Sequence, residues 1–392
     1  NERWSDDSYA FRGERFTGVC VGGVYVLQQQ HQHQQQQYRG ALSYWKMNRH
    51  DARVRFSIGA DQADGGAINA PCCLTFDHIR GRLYVADRNN RIQVFSSCDG
   101  TFVCKFGQPG DKPGEFQLPY GIAIDHVHER LLITDDKNWR VQVLSSLDYS
   151  VQSCFGSRGF GPKAKRFEFS YIPCVAIDHR NEHAVIVDSN NGRLQVLGLE
   201  DLAFSFFIGT KKGRQAVKLS NPVGVAIDHE RDRLIVTDCH NNQVQVLSAA
   251  KGALVHKFGS AGDQPGQFNG PHGVCVDHQG RIIVADSRNY RLQAFTSEGE
   301  YISSFDCGRQ SPFGLAYDEQ RELLAFSAGN QVHVIEAAQW LLPGNAAWTL
   351  ERHQHAPKSV RQVVRTMMMI RSLVPESVVA LLSNEMMFVI FS

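Results

Sequence analysis

The sequence predicts an all-β fold in which sheets of four short strands stand around one central axis, as in a β-propeller. Apolar and polar residues alternate with a period of two over short runs, which is typical of strands. The alternating unit recurs at intervals of 41 to 53 residues, and four strands in such a period indicate a propeller blade. One such sheet cannot bury both of its faces, whereas a closed ring of sheets can.

The stretch from residue 119 to 144 is the clearest copy of this unit. It contains two alternating runs, which end at Asp125 and Asp135, and a third strand at Val141–Leu144. The first Asp recurs as Asp77, Asp125, Asp178, Asp228, Asp277 and Asp318. The second recurs as Asp87, Asp135, Asp188, Asp238 and Asp286, and Ser327 is assigned to its place in the sixth copy. The sequence therefore holds six clear copies.

Two long segments carry a resemblance to a known family. GQPGDKPGEFQLPYGIAID (Gly107–Asp125) and GSAGDQPGQFNGPHGVCVD (Gly259–Asp277) resemble NHL repeats, as do the endings VADRNNRIQVF and VADSRNYRLQAF. The resemblance covers roughly residues 60–350, and it is specific because spacing and residue types recur together. It implies an NHL-type β-propeller of the kind found in tripartite-motif proteins, although this chain has no RING or B-box zinc pattern.

The chain divides into four predicted parts. Residues 1–15 form a polar arm, and residues 16–59 hold four alternating runs that suit a degenerate blade, interrupted by a Gln/His-rich loop at 28–37. Residues 60–352 contain the six repeats, and residues 353–392 form a helical tail. Counting the degenerate unit, we expect seven blades. The alternative is six blades, with the first segment only closing the ring.

The tail is predicted to form a pair of helices. Pro357 and Pro375 stand at the two helix starts, and apolar residues follow the first at helical spacing. Such a pair needs an apolar partner surface, which the propeller or further chain can supply. LVPESVVALL also weakly resembles the F-box and SOCS-box helices that recruit ubiquitin-ligase subunits. A membrane anchor is disfavoured, because Ser383, Asn384 and Glu385 interrupt the apolar run.

Composition limits the classes of partner and the compartment. The net charge of +1 gives no global attraction to nucleic acid or to an anionic membrane. The first 16 residues lack the apolar core of a signal peptide, and the ten cysteines form no Cys-x-x-Cys pair. We therefore expect reduced cysteines and a cytoplasmic protein with no membrane partner. The chain begins with Asn1, which leaves room for an upstream domain.

The recurring polar residues are expected to be structural, because a catalytic group is needed once and a blade-building group in every copy. Each second Asp can accept hydrogen bonds from its turn and pair with the Arg that opens the third strand. The predicted pairs are Asp87/Arg91, Asp135/Arg140, Asp188/Arg193 and Asp286/Arg291. The five Asp-His pairs at the first hairpins, beginning with His78 and ending with His278, are expected to be turn residues. No catalytic residue, metal site or cofactor is predicted.

Function is expected where the copies differ. Strands one and three of an antiparallel blade run in the same direction, so the loops that lead into them open on one face, here called the upper face. The variable residues that lead into strand one are Cys72, Tyr120, Cys174, Val223, His272 and Phe313. The loops that lead into strand three supply Arg88, Asn89, Lys137, Trp139, Asn190, His240, Arg288 and Tyr290. This mixture of aromatics, cations and amides is a candidate binding surface.

Three functions remain open at this point. The first is a protein-binding scaffold with aromatic and Arg anchors, which the tail could link to a ubiquitin ligase for substrate recognition. The second is single-stranded RNA recognition, which the NHL resemblance implies. There, bases would stack on Tyr120, Trp139, His272, Tyr290 and Phe313, and Arg88, Lys137 and Arg288 would hold phosphates. The third is a metal-dependent lyase, as in some NHL-like propellers, which the single His272 in the first-strand ring disfavours.

Overall fold

A computed structural model describes residues 54–59, 67–161, 163–209 and 217–337, together with four short strands between residues 10 and 28. The chain divides into two compact units, residues 1–51 and 52–392. In the second unit the described strands form six four-stranded antiparallel sheets, numbered here as blades 1 to 6. Two short parallel pairs lie in the loops before blades 2 and 3, Gln108–Pro109 with Glu115–Phe116 and Ser157–Arg158 with Glu168–Phe169. The all-β propeller predicted from the repeats is therefore confirmed. No helix in these described ranges is long and apolar enough to cross a bilayer.

Blades 1 to 5 each consist of four strands that are consecutive along the chain and adjacent in the sheet. Blade 1 comprises Leu74–Asp77, Arg82–Asp87, Arg91–Ser96 and Phe102–Phe106. Blade 2 comprises Pro119–Asp125, Arg130–Asp135, Arg140–Ser145 and Val151–Phe155. Blade 3 comprises Val175–Asp178, His183–Asp188, Arg193–Gly198 and Phe204–Ile208. Blade 4 comprises Pro222–Asp228, Arg233–Asp238, Gln243–Ser248 and Leu254–Phe258. Blade 5 comprises Pro271–Val276, Ile282–Asp286, Arg291–Phe295 and Tyr301–Asp306.

Blade 6 is completed by a strand from the N-terminal part of the chain. Its first three strands are Pro312–Asp318, Leu323–Ala328 and Gln331–Glu336, and its fourth is Val54–Ile58, which pairs antiparallel with the third. The preference for seven blades is therefore wrong. The run assigned to a degenerate blade covers what would otherwise be an exposed sheet edge, and it closes the ring without a seventh sheet.

The first unit contains two small antiparallel sheets. Ala10–Phe11 pairs with Glu14–Arg15, and Thr17–Val21 pairs with Val24–Gln28. The predicted run at 41–45, residues 29–37 of the Gln/His-rich loop and the predicted helical tail at 353–392 lie outside the described residues.

Six apolar clusters form the core, and each lies between two neighbouring blades. Successive residues of a strand point to opposite faces of the sheet. In blade 1, Leu83 and Val85 accordingly pack against blade 6 with Ile58, whereas Tyr84 and Ala86 pack against blade 2. Because a cluster occupies every one of the six interfaces, blade 6 contacts blade 1 and the ring is closed.

A buried carboxylate in blade 2 fastens both loops of its upper face. Asp135 is fully buried, and its Oδ1 accepts the backbone N–H of Gln117 at 2.6 Å. Its Oδ2 accepts Nε of Arg140 at 2.8 Å and Nε2 of Gln142 at 3.1 Å. Both of these side chains also donate to the carbonyl of Glu115, at 2.8 and 2.6 Å. One charge therefore fixes the loop into strand one against the start of strand three.

The same arrangement recurs in other blades. The Asp–Arg distances are 3.0 Å for Asp87/Arg91, 2.7 Å for Asp188/Arg193 and 2.8 Å for Asp286/Arg291. In blade 4, Gln243 replaces the Arg and lies 3.4 Å from Asp238. The third member was not predicted from the sequence. It is a buried Gln that donates to each second Asp: Gln93, Gln142, Gln195, Gln245 and Gln293. The repeated Gln two residues into strand three was the available signal.

Blade 6 departs from this arrangement, and the assignment of Ser327 to the second Asp position is wrong. Ala328 pairs with Pro312 and Gln331, as Asp238 pairs with its own neighbours in blade 4. Ser327 Oγ instead accepts the N–H of Gly314 at 2.9 Å, which is the role of Thr134 toward Gly121 in blade 2. The sequence shows only a short polar residue at this point. The register of the sheet decides whether that residue is equivalent to the second Asp or to the residue before it.

Candidate functional site

The residues predicted to lead into the first strands converge on one central cavity. The first strands of neighbouring blades contact one another around the ring, so the cavity follows the axis, and its volume is about 470 Å³. It is lined by all six predicted residues, namely Cys72, Tyr120, Cys174, Val223, His272 and Phe313. Four histidines that follow the first strands also line it: His78, His126, His179 and His229. The cavity therefore extends from the upper face to the hairpins at the opposite side.

Cys174 does not occupy the register position assigned to it. The carbonyls of Cys73 and Cys174 accept the N–H groups of Ala86 and Val187, both at 3.0 Å. Since these two donors each precede the second Asp of their blade, Cys174 is equivalent to Cys73 and not to Cys72. Blade 3 has one residue fewer between its Pro and its first Asp, and this shift cannot be read from the Pro alone.

Three of the six cavity residues are wall residues with little free surface. Cys72, Tyr120 and Val223 are 2%, 8% and 5% exposed. The Tyr120 ring lies edge-on to Tyr171, with centroids 5.6 Å apart, and the Arg88 guanidinium lies 5.8 Å from its centroid. Burial raises the pKa of Tyr120 to about 12. This ring is therefore packed into the wall and offers no open face for stacking.

Tyr171, which was not predicted from the sequence, completes this part of the wall. It lies in the loop that leads into blade 3 and has a φ of +62°. Burial raises its pKa, as does its hydrogen bond with Tyr120. The only signal in the sequence was an aromatic residue two positions before Pro173, outside the register of the other blades.

His272 and Phe313 form an aromatic pair at the cavity between blades 5 and 6. Their centroids lie 5.0 Å apart in an edge-to-face arrangement, and both residues are half-buried. Burial lowers the pKa of His272 to about 4, and the positive charge of Arg288 adds to this effect. The imidazole is therefore neutral at pH 7, and it can accept a hydrogen bond or contact an apolar group.

The loops into the third strands carry the exposed part of the surface. Arg88, Asn89, Lys137, Asn190, His240, Arg288 and Tyr290 are exposed, and Trp139 is half-buried. Lys137 pairs with the buried Asp136 at 3.1 Å, which offsets its charge. Within the described part of the chain, no carboxylate lies within ion-pair distance of Arg88 or Arg288. Arg88 of blade 1 and Arg288 of blade 5 therefore present positive charges on this face that no carboxylate of the described residues offsets.

Two aromatic residues of this face adopt a left-handed backbone. Trp139 and Tyr290 follow short 3-10 turns with φ values of +50° and +55°, where blades 3 and 4 have Gly192 and Asn242. A bulky side chain is costly in this region, and such strain is a recognised feature of functional sites. The Arg158 guanidinium covers Trp139, 5.1 Å from its ring centroid, whereas Tyr290 is 44% exposed. Tyr290 is therefore the accessible aromatic of the pair.

The Asp-His pairs of the first hairpins act within and between blades. Asp77 Oδ1 accepts the N–H groups of Ile79 and Arg80 at 3.1 and 3.0 Å, which shapes its turn. His126 of the following blade lies 3.9 Å from this carboxylate. The same approach is made by His179 to Asp125 and by His229 to Asp178. Among the described residues, no three His, Cys, Asp or Glu side chains are placed to hold a metal ion.

Comparison with known proteins supports the repeat assignment. The NHL repeat family model matches residues 219–247 and 268–295, and a 6-bladed beta-propeller model matches residues 75–155. The chain is 47% identical over 55 residues to protein lin-41 of Caenorhabditis elegans and to protein brain tumor of Drosophila melanogaster, 14% of this chain in each case. It is 42% identical over 62 residues, 16% of its length, to the human E3 ubiquitin-protein ligase TRIM32.

These matches cover a small part of each relative. They span 5% of lin-41, 5% of brain tumor and 9% of TRIM32, and they fall within the repeat region. The similarity therefore concerns the propeller and not the whole of any relative. The matched repeats, the six sheets and the closed ring agree with one another. Residues 219–247 and 268–295 are therefore NHL repeats, and they lie in a six-bladed β-propeller.

Proposed function

We propose that the propeller is a non-enzymatic module that binds a protein partner on its upper face. The observation that carries this proposal is the set of exposed anchors, Arg88, Arg288 and Tyr290, on loops that buried carboxylates hold rigid. Arg and Tyr are enriched among residues that dominate protein–protein binding energy. A rigid surface also loses little conformational entropy when a partner binds.

The burial of the aromatic residues favours a protein partner over single-stranded RNA. RNA bases need open aromatic faces on which to stack. Tyr120 is packed into the cavity wall, and Arg158 covers Trp139. The exposed groups include the guanidinium groups of Arg88 and Arg288 and the phenol of Tyr290, which suit carboxylates, backbone carbonyls and apolar side chains of a protein.

We further propose that the bound partner is a substrate or adaptor in ubiquitin-linked degradation in the cytoplasm. TRIM32 is an E3 ubiquitin-protein ligase, and the similarity of this chain to it lies in the repeat region, which supports this direction. The tail at 353–392 is the candidate segment for contact with ligase subunits. The nine described cysteines are free thiols, which suits a reducing compartment.

Capture of partners by upper-face and lower-face variants tests the proposal. The upper-face variant carries Arg88→Ala, Arg288→Ala and Tyr290→Ala. The matched control carries Ile79→Ser and Val127→Ser, two exposed apolar residues of the opposite hairpins. We expect the upper-face variant to capture at least ~10-fold less partner than the parent protein, because central anchors dominate binding energy. The control should capture as much partner as the parent. Equal capture by both variants would refute an upper-face site.

A second candidate, single-stranded RNA binding, is favoured by one observation. Arg88 and Arg288 have no carboxylate within ion-pair distance among the described residues, and phosphates could fill that role. Filter binding of unstructured RNA at several salt concentrations separates the two functions, since phosphate contacts weaken steeply as salt increases. RNA affinity that falls with salt and is lost in the upper-face variant would favour this second candidate.

A further inference from the structure

Two thiols occupy a position at which the other blades have glycine. Four residues before the first Asp, blades 2, 4, 5 and 6 have Gly121, Gly224, Gly273 and Gly314. A Cβ at Gly273 or Gly314 would lie 2.1 Å from a backbone oxygen of the next blade. Blades 1 and 3 have Cys73 and Cys174 there instead. Their side chains are accommodated where a Cβ would collide in other blades.

The two cysteines meet because blade 2, which lies between them, has no side chain at this level. A Cβ on Gly121 would lie 2.8 Å from Cα of Cys174. On the other side, the N–H of Cys73 donates to the carbonyl of Tyr120 at 3.2 Å. Sγ of Cys73 then reaches to 3.4 Å from the carbonyl oxygen of Pro173, directly before Cys174. The two thiol groups therefore lie close enough to influence each other's ionisation.

This interaction makes the two thiols chemically different. It lowers the pKa of Cys174 and raises the pKa of Cys73, which burial raises further. A cysteine of lowered pKa beside a second thiol is the usual arrangement of a reactive cysteine with a resolving partner. Both residues are half-buried and line the central cavity, through which a small oxidant can reach them.

We propose that Cys73 and Cys174 form a reversible disulfide that staples blade 1 to blade 3 when a peroxide enters the central cavity. The thiolate sulfur of Cys174 attacks one peroxide oxygen, the O–O bond breaks, and water leaves after protonation. The resulting sulfenic acid is attacked by the Cys73 sulfur, which releases its proton and expels a second water. Two thiols are oxidised, and one peroxide is reduced to two waters. A dithiol reductant restores both thiols by exchange.

The other cysteines of the cavity do not share this arrangement. Burial raises the pKa of Cys72 and of Cys275, so their thiols resist ionisation. Cys98 and Cys154 are exposed but lie outside the cavity lining. The proposed reaction is therefore specific to one pair, although Cys72 adjoins it in the chain.

Peptide mapping of the unaltered protein tests the disulfide directly. Fully reduced protein is treated with one equivalent of hydrogen peroxide, alkylated and digested without reduction. We expect a linked pair of peptides, one containing residues 72–73 and the other Cys174, which dithiothreitol separates. Oxidation of Cys174 only to sulfinic acid, or a link between other cysteines, would overturn the proposal.

Variants assign the link to one sulfur pair. Cys73→Ser and Cys174→Ser should each abolish the linked peptides, whereas Cys72→Ser and the exposed Cys98→Ser should retain them. The oxidised protein should also unfold at a higher urea concentration than the reduced protein, because a crosslink constrains the unfolded chain. This increase should disappear in Cys73→Ser and persist in Cys98→Ser. Survival of the link in Cys73→Ser would refute the assignment.

Discussion

Nε of Arg140 lies 2.8 Å from Oδ2 of Asp135, and this pair ties two loops of blade 2 to one buried charge. The aspartate is fully buried, and the guanidinium also donates to the carbonyls of Lys112 and Glu115 at 2.8 Å. Removal of the carboxylate leaves several donors without their acceptor at a buried position. Breaking a buried pair in this way is strongly destabilising.

Asp135→Ala should therefore lower the free energy of unfolding by about 3–5 kcal/mol. The N–H of Gln117, the amide of Gln142 and the guanidinium of Arg140 lose their common acceptor. Urea denaturation followed by circular dichroism measures the change. Glu230→Ala, at an exposed carboxylate of the opposite face, is the control and should stay within about 0.5 kcal/mol of the parent. A parent-like midpoint for Asp135→Ala would show that this carboxylate does not hold the loops.

Closure of the ring by the strand at 54–58 makes a second prediction. Ile58 is fully buried between blades 6 and 1, whereas Val54 in the same strand is 51% exposed. Ile58→Ala should destabilise the propeller by about 2–5 kcal/mol because it leaves a cavity at the interface. Val54→Ala is the matched control and should cost less than about 0.5 kcal/mol. Equal effects in thermal unfolding would contradict the pairing of this strand with blade 6.

His272 should make the stability of the protein sensitive to acid. Its pKa in the folded protein is about 4, below the ordinary value of 6.5, so between these values the unfolded chain binds the proton and the folded protein does not. The contribution of His272 to the free energy of unfolding is therefore fully present above pH 6.5. It is lost as the pH decreases toward 4, by up to about 3 kcal/mol.

The measurement for His272 is urea denaturation at pH 7 and at pH 4.5. His272→Gln should lose less stability between these two pH values than the parent, by about 2–3 kcal/mol. His240→Gln, at an exposed His of the same face, should keep the parent's loss. The same pH dependence in all three proteins would contradict a buried neutral His272.

Substitution of Tyr290 tests whether this residue serves partner binding or the stability of the fold. Its left-handed backbone conformation costs a bulky residue about 1–2 kcal/mol, and blade 3 has Gly192 at this position. Tyr290→Gly should leave the melting temperature unchanged or slightly raised. It should weaken the affinity for the captured partner by about 30-fold, which corresponds to the loss of an anchor worth about 2 kcal/mol. Thermal unfolding and equilibrium capture are the two readouts. A stability loss with unchanged capture would make Tyr290 structural instead.

The repeats were readable from sequence because each blade uses the same local devices. The alternation of apolar and polar residues predicted the strands. The recurring Asp and Arg residues predicted the ion pair found at Asp87/Arg91 and its equivalents. The face on which the loops open followed from strand direction alone. The positions of Ser327 and Cys174 could not be read in this way, because a shift of one residue in a short loop leaves the pattern intact and changes the register.

The sequence by itself determined that the chain forms blades, which residues build them and where they vary. These are consequences of local periodicity and turn chemistry, which repeat within each copy. The tertiary structure decided that the ring closes at six blades, because the strand at 54–58 pairs with one nearly three hundred residues away. It also decided that Tyr120 is buried while Tyr290 is exposed, and that Cys73 meets Cys174 across Gly121. Such contacts depend on how blades pack around a shared axis, and no single repeat contains that information.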